Sequence, residues 1–146
     1  MVNFDSVGVP LPSIPFSEVE KWLSAVAEAH GRIIGKVNYL FCDDAYVLET
    51  NIEFLGHDYF TDIITFDYSH GNKVSGDIVI SIDTVRSNAE KFSQPYAREF
   101  FRVVAHGLLH LCGINDKGPG EREIMELNEE QALNILPEAF LNQYEI

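Results

Sequence analysis

The sequence predicts an α+β protein, a four-stranded mixed sheet packed with about five helices, in one domain spanning residues 1–146. Three observations lead there. Four short segments carry the two-residue alternation or the β-branched and aromatic enrichment of strands. Longer segments between and after them repeat apolar residues at helical spacing. The chain has 146 residues, 46% of them hydrophobic, which suits a single core.

Val2 and Phe4, with Val7 at the far end, give a short first strand. Pro10, Pro12 and Pro15 stiffen the connector that follows. Ser17-Glu18-Val19-Glu20 has the form of a capping box, with the serine capping and Glu20 reaching back. The helix it opens runs to about His30, places Val19, Trp22, Leu23 and Val26 inward, and is closed by Gly31. Lys36 to Phe41 alternates as a strand does. Asp43 or Asp44 caps a second helix reaching about Phe54, and Gly56-His57-Asp58 is a turn. Thr61 to Tyr68 and Val74 to Ile82 are strands joined through the turn Ser69-His70-Gly71-Asn72. Asp83 caps a short helix to about Phe92. Pro95 opens a helix that ends at Cys112, and Gly118-Pro119-Gly120 is a loop. A last helix starts near Glu121 and carries Ile124, Met125, Leu127, Ala132 and Leu133.

Ten basic and 23 acidic residues leave a formal charge of −13. That balance argues against a broad nucleic-acid footprint, which needs a cationic surface, and no DNA partner is expected. The acids gather between Glu121 and Glu145, so any RNA contact has to use a local basic patch. No apolar run approaches the roughly 20 residues of a membrane span, and residues 1–5 show no signal-peptide pattern. A cytoplasmic protein with Cys42 and Cys112 reduced is expected, with no membrane partner. Cys112 follows His110 by two positions, which turns it off the histidine face and into the core.

The segment from His106 to Asp116 carries the chemistry. His106 and His110 lie one helical turn apart on one face. Gly113 stops the helix, because glycine enters the left-handed conformation without strain, and the chain can fold back to present Asp116. His-x3-His-x5-Asp therefore reads as a three-ligand metal site with an open position, the arrangement of catalytic zinc. Zinc peptidases of the HExxH kind carry a glutamate after the first histidine as general base, and here that position is Gly107.

His106-Gly107-x-Leu109-His110-Leu111-x-Gly113 resembles the signature of the YbeY family of bacterial endoribonucleases. Thr61-Asp62-Ile63-Ile64-Thr65-Phe66 and Gly76-Asp77-Ile78-Val79-Ile80-Ser81 resemble two of that family's strands, and Glu121 to Glu129, with Met125, resembles the helix after its metal loop. The resemblance implies a zincin-like metal helix, a Zn2+ ion or another first-row divalent ion, and single-strand-specific cleavage in late processing of the 16S ribosomal RNA 3′ end. Ribosomal RNA and small-subunit ribosomal proteins are the partners it implies. Two positions depart from the family pattern. Asp116 stands where the family has a third histidine ligand, and Leu55 stands where it has an arginine, with His57 and His70 the nearest cationic substitutes. Two histidines and a carboxylate also suit iron and other first-row ions.

The nucleophile expected of such a site is a metal-bound water. No general acid or base is assigned by pattern; Asp62 is the candidate, beside a plainer role in hydrogen bonding at a strand end. Arg98, Arg102, His106 and His110 follow one another at four-residue spacing, a ridge that can lead a phosphate backbone to the ion. The alternative is that Arg98 and Arg102 pair with Glu90, Glu99 or other acids. Two other functions fit parts of the pattern: a metal-dependent peptidase or other hydrolase, and a non-catalytic ribosome-assembly protein that keeps a structural metal.

Overall fold

Alternating side chains reach both faces of a sheet, and this chain buries both. In the computed structural model, which describes residues 1–56 and 62–141, four strands form one sheet. They are β1 (Val2–Ser6), β2 (Ile33–Cys42), β3 (Ile63–Asp67) and β4 (Lys73–Ser81), in spatial order β1-β2-β4-β3. β1, β2 and β4 run parallel, while β3 pairs antiparallel with β4 at the edge. Among the described residues there are six α-helices: α1 (Phe16–Ala29), α2 (Asp44–Thr50), α3 (Ile82–Lys91), α4 (Tyr96–Leu111), α5 (Glu121–Ile135) and α6 (Glu138–Leu141). A π-helical turn, Asn51–Leu55, continues α2.

Val37, Tyr39 and Phe41 of β2 and Val74, Ile78 and Ile80 of β4 point to one face, where they meet Leu23 and Val26 of α1 and Phe100, Val104 and Leu108 of α4. Each such side chain contributes roughly 1.5–3 kcal/mol by leaving water. The hydroxyl of buried Tyr39 donates to the Val104 carbonyl at 2.8 Å, which satisfies its one polar atom. On the opposite face Leu40, Ile64, Phe66 and Val79 pack with Tyr46 and Val47 of α2 in a smaller cluster.

Two helix starts differ from the sequence expectation. α1 begins at Phe16 with Pro15 at its N-cap, so Ser17 lies inside the helix and caps nothing. Glu20, the other half of the expected box, instead accepts a hydrogen bond from the Val2 amide at 2.9 Å and ties α1 to the start of β1. α3 is capped by Ser81, whose hydroxyl accepts from the Thr84 amide, while Asp83 accepts from the Asp44 amide across to α2. The expected order ended in three helices; the short α6 adds a fourth. His57, Asp58 and Thr61, parts of an expected turn and strand start, lie outside the described residues, as does Glu145. No described helix is long and apolar enough to cross a membrane.

Candidate metal centre

α4 lies directly against the sheet at Gly107. A Cβ at this position would lie 2.8 Å from Ile78 Cγ2 and 3.0 Å from Ile63 Cδ1, too near for any larger residue without displacement. The backbone thus faces the sheet at 107, and the rings of His106 and His110 line the adjacent cleft. The same packing removes the peptidase alternative's general base, because no glutamate side chain can stand where Gly107 meets the sheet.

The helix stops as its sequence implies. Gly113 takes φ 93°, its amide donates to the His110 carbonyl at 3.0 Å, and the Ile114 amide donates to the Leu109 carbonyl at 3.0 Å. This Schellman closure turns the chain back toward the histidines. Asp116 then comes within reach: its Oδ2 lies 3.4 Å from His106 Nε2 and 3.5 Å from His110 Nε2. One donor atom from each of the three residues falls within 4.8 Å of the others. An ion about 2.0–2.1 Å from donors at tetrahedral angles holds them about 3.3–3.4 Å apart. The two separations from the Asp116 oxygen to the imidazole nitrogens fit a zinc-sized ion. Burial and the neighbouring His106 push the His110 pKa down, which favours the neutral ring a metal requires.

Behind the histidines lies a charged network of which the sequence offered only the pairing of Arg102 with Glu99. Glu129 Oε2 sits 2.6 Å from His106 Nδ1, the ring nitrogen away from Asp116. Its other oxygen accepts from Arg102 Nη1 at 3.1 Å. Arg102 in turn makes two 2.7 Å hydrogen bonds to Glu99, and these hold the guanidinium firmly protonated. Glu99 and Glu129 are both buried. The readable signal was an acid on an apolar helix face: Glu129 follows Met125 by four residues and precedes Ala132 and Leu133, all buried.

Arg98 and Arg102 do climb α4 toward the histidines, but both face carboxylates. Arg98 forms two 2.9 Å contacts to Glu130 at the surface, and Arg102 lies in the network just described. Asp62, immediately before β3, accepts from the Ser81 amide through its backbone carbonyl, and its side chain reaches within 4.0 Å of Arg102. Met125 and Cys112 are core residues, and both cysteines are free thiols. His70 sits in the β3–β4 turn, bridged to Lys73.

The three converging residues open into a cleft of about 360 Å3 whose walls include Asn51 and Leu55 of the π-helical turn, Asp62, Thr65, Arg102 and Lys117. Leu55, which the resemblance sets against an arginine, is part of the cleft wall.

A mixed sheet that carries a two-histidine helix, closed by a glycine and met by a carboxylate at an open cleft, defines a class: an α+β protein with a candidate hydrolytic metal site. Comparison with known proteins narrows it. Residues 13–137 match the family model described as Endoribonuclease YbeY. A protein of that name from Phocaeicola vulgatus is 55% identical over 136 residues, 93% of this chain and 99% of its own. Another from Parabacteroides distasonis is 59% identical over 130 residues, 89% of this chain and 92% of its own. The solution structure of TM1509 from Thermotoga maritima matches with a TM-score of 0.65 at 24% identity, over 92% of this chain and 88% of that one, a likeness of fold. The chain belongs to the YbeY family of endoribonucleases.

Proposed function

We propose that this chain is a zinc-dependent endoribonuclease, one domain over residues 1–146, that cleaves single-stranded RNA in late processing of the 16S ribosomal RNA 3′ end. His106, His110 and Asp116 hold the ion. Its partners are ribosomal RNA and proteins of the small subunit, and it works in the cytoplasm. The observation that carries this reading is the pair of 3.4 and 3.5 Å separations from Asp116 Oδ2 to the two Nε2 atoms, in a chain of this family.

His106, His110 and Asp116 would hold a divalent ion, which would supply Lewis-acid polarisation of a phosphoryl oxygen and an activated water at neutral pH. The chain's own residues do the rest. The carboxylate of Asp116 partly neutralises the ion and joins the two helix ligands to the loop. Lys117, next in sequence and on the cleft wall, places a cation beside the incoming phosphate. Asp62, on the same wall, offers a carboxylate for proton transfer at the reacting oxygens. Arg102 also faces the cleft, but its charge is committed to Glu99 and Glu129.

The test is cleavage of an end-labelled single-stranded RNA by zinc-loaded protein, apoprotein and the His110→Ala variant. Cleavage by the loaded wild type, with background levels in the other two, supports the reading. Equal cleavage by all three overturns it.

A further inference from the structure

We propose that Glu129, clamped by Arg102 and Glu99, is a positioning residue that holds His106 as its Nδ1–H tautomer and so turns the Nε2 lone pair toward the ion. The inference rests on the metal reading above and adds to it a residue from a separate helix, α5.

The two ring nitrogens face different partners, and a short contact to a carboxylate suits an N–H at Nδ1. Glu129 accepts at Nδ1 from 2.6 Å, and Nε2 faces Asp116 at 3.4 Å. A carboxylate that accepts from one nitrogen fixes the tautomer and ring plane and raises the basicity of the other. The carboxylate is itself fixed. Arg102 Nη1 binds its second oxygen at 3.1 Å, and the two 2.7 Å bonds to Glu99 leave the guanidinium little freedom to turn.

Burial argues against a purely structural purpose. Glu99 and Glu129 expose only 3% and 4% of their surface. Buried carboxylates carry a desolvation cost that a hydrophobic side chain of similar size would avoid, so such networks are poor stabilisers for their own sake. Glu99, Glu129 and the more distant Asp62 against the one guanidinium of Arg102 leave net negative charge beside His106, which a divalent ion on the far side of that ring would offset.

Two measurements test this. The first reads the histidine ring nitrogens of the apoprotein by nitrogen-15 NMR, in wild type and Glu129→Ala. The second measures zinc affinity by competition with a chromophoric chelator, in wild type, Glu129→Gln, Glu129→Ala and His110→Ala. Glu129→Gln preserves the shape of the side chain and guards against loss of fold; Glu123→Gln, an exposed acid on the same helix, is the control. The expected results are a single Nδ1–H tautomer for His106 that is lost in Glu129→Ala, and zinc binding weakened about 10–100-fold in both Glu129 variants but unchanged in the control. If His110→Ala abolishes binding while folded Glu129 variants keep wild-type tautomer and affinity, the metal reading stands and this inference falls. If the wild type takes up no zinc, both fall.

Discussion

At the scale of single residues, the convergence of the three candidate ligands was legible because it depends on local geometry. His106 and His110 share a face by helical spacing, and a glycine at 113 has one common use after a helix. Glu129 was not legible in the same way: it lies 23 residues beyond His106, and only the packing of α5 on α4 brings it to the ring. The sequence shows why Gly107 is no peptidase base, but not why it is glycine; that depends on Ile63 and Ile78 from two strands. Gly107→Ala tests this contact. Alanine gains about 1 kcal/mol of helix propensity over glycine, whereas forcing a methyl into a filled site costs about 1–3 kcal/mol. Both branched isoleucines are held in the sheet, so the second effect prevails. Urea denaturation is expected to show a net loss of stability, and zinc binding to weaken as the helix shifts His106 outward. A variant as stable as the wild type would remove close packing as the reason for the glycine.

At the scale of elements, types were more legible than ends. Alternation along β2 and the apolar spacing of α4 are strong periodic signals, and both elements form where expected. Caps are weaker signals because several polar residues near a helix start compete for the same amides. Ser17 and Glu20 have capping-box spacing, yet Pro15 takes the cap and Glu20 serves β1. Ser81 beats Asp83 because its backbone is extended at the end of β4, as an N-cap requires, whereas Asp83 is already within α3. Substitution separates the two cases. Ser81→Ala is expected to cost about 1–2 kcal/mol, since it removes a cap and a partly buried hydrogen bond to Asp44. Ser17→Ala is expected to stay within about 0.5 kcal/mol of wild type. Denaturant midpoints of the two proteins measure the difference; equal losses would mean that Ser17 caps after all. The π-helical turn after α2 had no sequence signature, yet it supplies two residues to the cleft wall, a placement typical of such turns.

At the scale of the whole molecule, the α+β class and mixed sheet followed from element order, but the strand order β1-β2-β4-β3 did not. Which edge receives β3 is decided by long-range pairing of Ile63 to Asp67 with β4, and nothing local specifies it. Charge sets a global constraint on RNA contact. With a net charge of −13 and with Arg98 and Arg102 facing carboxylates, the cleft can neutralise few phosphates. RNA affinity is therefore expected to depend weakly on salt. Each neutralised phosphate on a single strand adds about 0.7 to the slope of log affinity against log salt, so Lys117→Ala should lower that slope by roughly this amount. A steep slope, untouched by the substitution, would point to a basic surface elsewhere. Every role given to the cleft depends on the ion. The most direct measurement is elemental analysis of protein reconstituted with zinc and then dialysed free of excess, wild type beside Asp116→Ala. About one zinc per wild-type chain and a substoichiometric amount in the variant are expected, the occupancy of one three-ligand site. Equal zinc in the two proteins, or none in the wild type, would contradict that site.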